Sequence, residues 1–234
     1  MIVYGRNPVR EVLRGPRRVE RVWATERAAR DPELEGVELR VVDGSEVEER
    51  SGSSEHQGIC AETEAYGYAD AGSLLEREDA LVVCLDGVQD PRNLGAVCRV
   101  AEASGCAGVV VPLRGSAAVT PAVCKASAGA VEHLAVARVR NLADWLSGAK
   151  RLGAWVYGAE ASAQVVYDEP DYAGRVVVVL GSEGRGLRPR VAAACDELIA
   201  LPGYGRIASL NVSAAAAALV YGILHLRNTL DRAP

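Results

Sequence analysis

The stretch VVVVLGSEGRGL, residues 176–187, joins four consecutive valines to a loop that contains three glycines. An apolar run that does not alternate with polar residues is typical of a parallel strand covered on both faces. Glycines at positions 181, 184 and 186 leave the backbone free to approach a ligand closely, although a generic glycine-rich turn explains them equally well. The stretch therefore predicts a buried strand followed by a candidate ligand loop.

Similar apolar runs precede this stretch, and they alternate with amphipathic segments. The pattern predicts strands at residues 81–85, 109–111, 134–139, 154–157 and 176–180, and helices at residues 94–103, 141–150 and 189–194. A long C-terminal helix is expected to run to about Leu230. Alternating strands and helices favour an α/β domain with a mostly parallel sheet.

The first sixty or so residues predict a separate, small α/β unit. Its elements are a helix at residues 7–13, strands at residues 19–25, 37–42 and 56–62, and a helical turn at residues 45–50. The polar segment at residues 65–79 contains two glycines and lacks clear periodicity, as is typical of a linker. We therefore expect an accessory domain at residues 1–64, a linker at 65–79 and a larger domain at 80–234.

The distribution of charge is more informative than its sum. A net charge of −5 over 234 residues argues against an indiscriminate nucleic-acid binder. Six arginines nevertheless fall close together near the N-terminus: Arg6, Arg10, Arg14, Arg17, Arg18 and Arg21. They form either a solvated face or a local patch that contacts phosphate.

The six cysteines include no CxxC pair. They predict buried free thiols in a reducing compartment and no metal site. No secretory signal follows Met1, and no apolar run reaches the ~18 residues that a membrane span needs. A cytoplasmic protein without membrane contact is therefore expected.

Three predicted loops carry polar residues at positions where a ligand would bind, because open α/β sheets bind ligands beyond the carboxyl ends of their strands. The first loop and its helix contain Asn93 and Arg99, and the glycine-rich loop contains Glu183. Taken alone, Asn93 is explained as a helix cap and Arg99 as a surface residue. The third stretch, LPGYGRIASLNVS at residues 201–213, places three polar residues before the last helix, which is more than capping requires.

Three segments together resemble a known family. NLGAVCR, LGSEGRGL and LPGYGRIASLNVS are similar, in order and spacing, to the three motifs of the SpoU (TrmH) branch of the SPOUT RNA methyltransferases. YGRNPVREVL and SSEHQGICAE resemble the accessory RNA-binding domain of the bacterial 23S rRNA guanosine 2′-O-methyltransferase group. The resemblance implies a mostly parallel sheet with a deep C-terminal trefoil knot, a homodimer, and S-adenosylmethionine as cofactor.

The resemblance also implies site residues. The catalytic set would be Asn93, Arg99, Glu183, Ser209 and Asn211, with the cofactor held by backbone around Gly181, Leu201 and Leu210. RNA contacts are expected at Arg6, Arg10, Arg14 and His56. The family often assigns the base role to the arginine that matches Arg99. A guanidinium holds its proton too tightly for that role, so we favour Arg99 as an electrostatic stabiliser.

Several functions stay open at this stage. The favoured substrate is a guanosine ribose in 23S rRNA, and the alternatives are a tRNA ribose or an rRNA site that confers antibiotic resistance. A catalytically silent RNA-binding protein is disfavoured by the intact polar set, and an oxidoreductase by the missing GxGxxG fingerprint. Tyr204 and Arg206 stand where related chains usually carry small or apolar residues, which points to altered cofactor-loop or RNA contacts.

Overall fold

A computed structural model describes residues 1–206 and 210–230 of the chain, with the backbone alone for residues 228–230. Two sheets organise these residues. The first has four strands in the order β1-β4-β2-β3, and the second has seven strands in the order β7-β6-β5-β10-β8-β11-β9. Every neighbouring pair in the seven-stranded sheet is parallel, which confirms the predicted sheet type.

The four-stranded sheet belongs to the N-terminal unit. Its elements are β1 (Ile2–Tyr4), α1 (Arg6–Arg14), β2 (Val19–Ala24), α2 (Glu26–Ala29), β3 (Arg40–Val41), α3 (Gly44–Ser51) and β4 (Ile59–Thr63). Strand β4 lies between β1 and β2 and is antiparallel to both. The strand predicted at residues 37–42 forms ladder pairs only at Arg40 and Val41, where it lies at the sheet edge.

The seven-stranded sheet and its helices form the larger unit. Its elements are β5 (Leu81–Asp86), α4 (Pro91–Ala103), β6 (Gly108–Pro112), α5 (Pro121–Ala126), β7 (Val136–Val139), α6 (Leu142–Arg151), β8 (Trp155–Ala159), β9 (Val165–Val166), β10 (Val176–Gly181), α7 (Pro189–Ala192), β11 (Glu197–Ala200) and α8 (Val212–Leu230). The sequence pattern did not predict α5, β9 or β11. Each has six residues or fewer, too few to display a period.

The central strands create a crevice at their carboxyl ends. From β5 the chain continues to β6 and β7 on one side of the sheet, whereas β10 lies between β5 and β8 on the other. Asp86 and Gly181, the last residues of β5 and β10, are paired in register. The loops that follow them therefore start side by side and diverge, which is the arrangement of a ligand-binding switch point.

Helix α8 packs against α4 with one face. The buried residues of this face lie at the spacing of a single helical stripe: Val212, Ala216, Leu219, Val220 and Ile223. Full burial of side chains such as Leu219 and Ile223 contributes roughly 1.5–3 kcal/mol each. The third loop is thereby anchored at one end by β11 and at the other by a helix fixed to α4.

No helix in the described ranges is long and apolar enough to cross a membrane.

Arg227, near the end of α8, fixes that helix to two distant turns. Its guanidinium donates hydrogen bonds to the carbonyl oxygens of Tyr172 at 2.9 Å, Gly174 at 2.8 Å and Asp79 at 2.8 Å. Burial lowers the pKa of Arg227. The three carbonyls satisfy these half-buried donors and tie the C-terminal helix to the segment before β5 and to the loop before β10.

The segment at residues 65–79, predicted as a linker, packs against the larger unit. The Tyr66 hydroxyl lies 3.1 Å from the carbonyl oxygen of Val131, and Ala69 pairs with Ala137 at the edge strand β7. Leu74 and Leu75 are buried in the core beneath the sheet. The segment therefore forms a strap along the larger unit.

A buried ion pair joins the two units. Arg17 donates to Glu132 through Nε at 2.8 Å and through Nη2 at 2.5 Å, and their side chains are 7% and 1% exposed. The Arg17 guanidinium also lies over the ring of Tyr66, 5.6 Å from its centroid. Since both charges are removed from water and matched by two hydrogen bonds, they hold the units in one relative position.

Removing one partner of this pair should strongly destabilise the fold. Glu132→Ala leaves the buried Arg17 without its carboxylate, so we expect a loss of ~3–5 kcal/mol in the free energy of unfolding, measured by urea denaturation. Glu46→Ala is the control, because Glu46 pairs with Arg50 on an exposed helix face and should cost below about 0.5 kcal/mol. Equal losses in the two variants would contradict the role given to the buried pair.

Candidate active site

The first loop leads from β5 into α4 and presents Asn93. Asp90 caps α4, since its Oδ1 accepts a hydrogen bond from the backbone N–H of Arg92 at 2.8 Å, and Pro91 occupies the first turn. Asn93 is therefore not the cap. Its side chain lies in the first turn of α4, partly exposed and available for other contacts.

The second loop follows β10 and folds back on itself. The N–H of Gly186 donates to the carbonyl of Ser182 at 3.0 Å, and Gly184 and Gly186 have φ of +77° and +64°. A Cβ at Gly181 would lie 2.1 Å from the carbonyl carbon of Gly186. The glycine at 181 is therefore required by the close return of the chain, and the turn places Glu183 at an exposed position.

The third loop ends at Asn211, which caps α8. Asn211 Oδ1 accepts hydrogen bonds from the backbone N–H of Ser213 at 2.9 Å and from its hydroxyl at 2.6 Å. Both contacts use the amide oxygen, so the orientation of the side chain is fixed and its Nδ2 group is directed elsewhere. Capping thus accounts for one atom of Asn211 and leaves the other for the site.

A hydrogen-bonded cluster connects the three loops, and we call Asn93, Glu183 and Asn211 the three-loop cluster. Glu183 Oε1 accepts from Asn211 Nδ2 at 2.6 Å and from Asn93 Nδ2 at 3.1 Å, and Asn211 Nδ2 also lies 3.1 Å from Asn93 Oδ1. A carboxylate can only accept, so Glu183 fixes the orientation of both amides. Residues far apart in sequence thereby form one polar site at the carboxyl ends of β5 and β10.

Arg99 does not contact the three-loop cluster. It lies on α4 six residues after Asn93, or ~9 Å along the helix axis, with an exposed side chain. Its side chain makes no ion pair or hydrogen bond with residues 1–206 and 210–227. Its guanidinium therefore carries a charge that these residues do not neutralise. Ser209, expected in the same set, lies outside the described residues.

The three positions expected to hold the cofactor lie in the second and third loops. Gly181 is the last residue of β10 and Leu201 directly follows β11, and both are partly exposed, whereas Leu210 directly precedes Asn211 and is 56% exposed. An uncovered leucine beside a polar cluster offers an apolar surface to a ligand. In the same loop, Tyr204 is 96% exposed.

Sequence reasoning missed Asp86, the last residue of β5. Its carboxylate is buried and accepts hydrogen bonds from the backbone N–H of Arg188 at 2.8 Å and from its Nε at 2.6 Å. Asp86 therefore fixes the end of the second loop to the strand where the first loop begins. An aspartate directly after the apolar run LVVCL was the signal available in the sequence.

A fourth loop, residues 113–120 between β6 and α5, adjoins the first two. A Cβ at Gly87 would lie 3.9 Å from both the Gly115 carbonyl oxygen and the Ser182 Cβ. Four arginines of these loops are exposed, and none forms an ion pair within the part of the chain that the structure describes: Arg92, Arg114, Arg185 and Arg206. We call them the loop arginines. Their loops carry or adjoin the three-loop cluster, so an acidic protein has exposed positive charge on this group of loops.

The N-terminal arginines behave differently from one another. Arg10 pairs with Asp31, and its hydrogen bond lowers the pKa of that carboxyl. Arg14 pairs with Glu33 and, at 3.1 Å, with Glu11. With the pair between Arg17 and Glu132, three of the six clustered arginines are neutralised inside the protein, and the other three form no ion pair with the described residues.

The other two predicted RNA contacts differ in availability. The Nδ1 atom of His56 accepts a hydrogen bond from the N–H of Gly58 at 2.9 Å, which commits that ring nitrogen to the turn. The side chain of Arg6 makes no hydrogen bond or ion pair with the described residues, and its charge adds to that of Arg10 in lowering the pKa of Asp31.

The thiols and acidic groups form no metal site among the described side chains. All six cysteines are unpaired and five are buried, and burial raises the pKa of Cys98 and Cys124 to about 12. Among the residues for which side chains are described, no three His, Cys, Asp or Glu lie close enough to hold a metal ion.

Comparison with known proteins identifies the family. Residues 80–221 match the SpoU rRNA methylase family, and residues 2–69 match the RNA 2′-O ribose methyltransferase substrate-binding family. This chain is therefore a member of the SpoU methylase family. It is 37% identical, over 97% of its length and 96% of the relative's, to a putative TrmH family tRNA/rRNA methyltransferase, YacO, of Bacillus subtilis.

Other relatives agree with this assignment. The chain is 37% identical to the 23S rRNA (guanosine-2′-O-)-methyltransferase RlmB of Pseudomonas syringae, over 97% of this chain and 96% of that one. A putative TrmH family RNA methyltransferase structure from Porphyromonas gingivalis superposes with a TM-score of 0.77 at 31% identity, covering 95% and 88% of the two chains. The structure of the SpoU methyltransferase AviRb of Streptomyces viridochromogenes, in complex with AdoMet, superposes with a TM-score of 0.82 over 98% of this chain and 90% of that one. At 22% identity, this likeness supports the fold alone.

A side chain at position 181 should disrupt the second loop. Because Gly181→Ala places a Cβ against the backbone of Gly186, we expect a loss of ~1–3 kcal/mol in the free energy of unfolding, measured by urea denaturation. Gly67→Ala is the control, since a Cβ there meets nothing within 4 Å and should be neutral or stabilising by up to ~1 kcal/mol. If both variants unfold like the wild type, the close return of the loop does not constrain this position.

Proposed function

We propose that this protein is an S-adenosylmethionine-dependent RNA methyltransferase that modifies a ribose 2′-hydroxyl, with a guanosine of 23S rRNA as the favoured target. The observation that supports this most directly is the three-loop cluster, which gathers polar side chains from all three motif segments of a SpoU family member. The 23S preference rests on the relative named as a 23S rRNA guanosine-2′-O-methyltransferase.

The residues around the cluster fit the cofactor. The second loop turns so tightly at Gly181 that only backbone can line it there, and the third loop presents exposed backbone and the uncovered Leu210. Backbone groups and an apolar contact suit a purine nucleoside bearing a methionine group. S-adenosylmethionine supplies an activated methyl group when it is bound. Gly181, Leu201 and Leu210 are the positions that would hold it.

The remaining problem is the nucleophile, because a ribose hydroxyl is a very weak acid. Fixed positive charge placed where the oxygen becomes anionic lowers this barrier. Arg99 has an exposed guanidinium with no carboxylate partner in the described ranges, so its charge is available to the ribose oxygen or an adjacent phosphate. Asn93 and Asn211, oriented by Glu183, would position the ribose, and the Ser209 hydroxyl would complete the set.

The loop arginines supply the attraction for RNA that the net charge of the protein does not. Arg92, Arg114, Arg185 and Arg206 are exposed on the loops that carry or adjoin the site, so RNA phosphates beside the target nucleotide would meet positive charge. Arg206 belongs to the third motif. Its departure from the usual small or apolar residue is consistent with an RNA contact.

We infer that two chains form a homodimer through the outer face of α8. Opposite the face that packs on α4, Ala214, Ala218 and Tyr221 are exposed at helical spacing, and Tyr221 is 51% exposed. Small residues beside an uncovered aromatic ring allow a second helix to approach closely. Because α4 lies next to α8, this contact would bring the partner close to Arg99.

Two further properties follow from family membership. We propose that the C-terminal segment forms a deep trefoil knot. The path of the chain agrees with this: β11 pairs with β8 on one side of the sheet, and the chain then returns so that α8 packs against α4, the helix that follows β5. We also propose a cytoplasmic location, since the six cysteines are unpaired and free thiols persist in reducing compartments.

Mapping of ribose methylation tests the proposed function. RNA from cells that lack the gene should lose one 2′-O-methyl nucleotide, and complementation with the wild type should restore it. Arg99→Ala should bind S-adenosylmethionine with unchanged affinity in calorimetry yet transfer methyl groups ~100-fold more slowly or worse. Arg151→Ala, at an exposed arginine in the last turn of α6, is the matched control and should be fully active.

Two results would contradict parts of this proposal. An unchanged methylation map in the deletion strain would contradict the proposal that the protein methylates RNA. Full activity of Arg99→Ala would remove that residue from the mechanism and leave the cofactor site intact.

Association through α8 is tested by a charge at its outer face. Ala218→Arg should convert a species of two chains into one of a single chain in light scattering, because the guanidinium would be buried without a partner. Ala193→Arg adds the same charge at an exposed position beyond α7 and should leave the mass unchanged. A single-chain mass for the wild type would argue against the dimer.

A further inference from the structure

We propose that a pocket in the N-terminal unit binds a backbone phosphate of the RNA, at a distance from the target nucleotide. The pocket has a volume of about 390 Å³ and is lined by Arg6, Thr25, Arg27, Gln57 and Gly58. This inference rests on the proposed function, since it names how the same substrate is held. It assigns the contact to residues different from most of those that the sequence pointed to.

The lining of the pocket consists of donors. Arg6 and Arg27 contribute two guanidinium groups without an ion-pair partner among the described residues, and no carboxylate lines the space. Guanidinium groups match phosphate oxygens in geometry as well as in charge. In contrast, Arg10 and Arg14, two of the three arginines that the sequence predicted to contact RNA, are already paired with Asp31 and Glu33.

The neutral lining residues also offer donors, because their acceptors are occupied. Gln57 Oε1 accepts the backbone N–H of Arg6 at 3.0 Å, and Thr25 Oγ1 accepts the N–H of Ala28 at 3.3 Å. The amide NH₂ of Gln57 and the hydroxyl hydrogen of Thr25 have no partner among the described residues and are available to a ligand. A pocket whose acceptors are used internally and whose donors are open selects an anion.

The backbone around Gln57 is held in an unusual conformation that shapes this pocket. Gln57 has φ of +56°, a left-handed geometry that costs energy for a residue with a Cβ. The next residue, Gly58, has φ of +82°, and a Cβ there would lie 2.6 Å from Thr25 Oγ1. The turn therefore brings Gln57 against the start of α1 and keeps Thr25 at the pocket floor.

A lysine of the larger unit adds positive charge beside the pocket. Lys125, on α5, donates from Nζ to the carbonyl of Glu55 at 2.9 Å, and its Nζ would lie 2.6 Å from a Cβ at Gly5. Burial lowers the pKa of Lys125. Because Gly5 directly precedes Arg6, Lys125 of the larger unit contributes positive electrostatic potential near the pocket.

The position of α5 connects the pocket to the candidate active site. This helix has six residues, or ~9 Å, and it begins where the fourth loop, which carries Arg114, ends. An RNA strand that enters the site past the fourth loop would meet the pocket at the other end of α5. The buried ion pair between Arg17 and Glu132 holds the two units at this separation.

The test compares two pairs of arginines in the full-length protein. Arg6→Ala/Arg27→Ala removes both pocket charges, and Arg18→Ala/Arg21→Ala removes two exposed side-chain charges of the same unit that do not line the pocket. Binding to a mixed-sequence 30-nucleotide RNA is measured over a range of salt concentrations. Methyl transfer is measured with total RNA from the deletion strain, and S-adenosylmethionine binding by calorimetry.

The pocket variant should bind RNA at least about 10-fold more weakly than the control variant. The slope of the logarithm of its RNA-binding constant against the logarithm of the salt concentration should be shallower. The expected change is about 0.7 for each phosphate of a single strand that the variant no longer neutralises. For methyl transfer we expect a raised KM for RNA with unchanged kcat and unchanged cofactor affinity, since the pocket touches neither the methyl donor nor the target ribose.

The outcomes separate this inference from the proposed function. If the wild type methylates the RNA and the two variants lose affinity equally, the arginines act only through overall charge and the pocket is not a site. If the wild type transfers no methyl group, the proposed function fails first. Should the double variant unfold, Arg27→Gln, at an exposed position on the short helix α2, must still flatten the salt dependence, and an unchanged slope overturns the proposal.

Discussion

The parallel pairing of β5 with β10 is the constraint on which the site depends. Because Asp86 and Gly181 are partners in that register, the first and second loops must begin next to each other. Asp86 strengthens the arrangement by binding Arg188, at the far end of the second loop. The short distances within the three-loop cluster are therefore a consequence of strand order, and a shift of register between these two strands would separate Asn93 from Glu183.

Helix α8 contributes to both stability and function. Its buried stripe fixes it to α4, and Asn211 at its first turn uses one side-chain atom to cap the helix and the other to bind Glu183. A residue that serves the helix and the site at once is held rigidly, because both amide ends have partners. Arg227 secures the other end of the helix, so the third loop is anchored on both sides.

The two units divide the proposed binding of RNA. Around the active site, positive charge comes from loops that follow β5, β6, β10 and β11, whereas the N-terminal unit offers the pocket at Arg6 and Arg27. Several arginines of the N-terminal cluster are instead used within the protein, as Arg10 and Arg17 are in ion pairs. The number of arginines near the N-terminus therefore overestimates how many guanidinium groups are available to phosphate. Arg10 and Arg17 pair instead with acidic residues that lie far from them in the sequence.

By itself the sequence determined the sheet type, the order of the long elements and the three polar segments. Continuous valine and leucine runs are buried in β5 and β10, and the motif spacing resembled one family. Only the tertiary structure decided which polar atoms meet: Asp90 replaced Asn93 as the helix cap, Glu183 joined two asparagines, and Arg99 remained outside their contact. The physical reason is range, because hydrophobic patterning acts through neighbours a few positions apart, whereas the hydrogen bonds of the three-loop cluster join residues 28 to 118 positions apart.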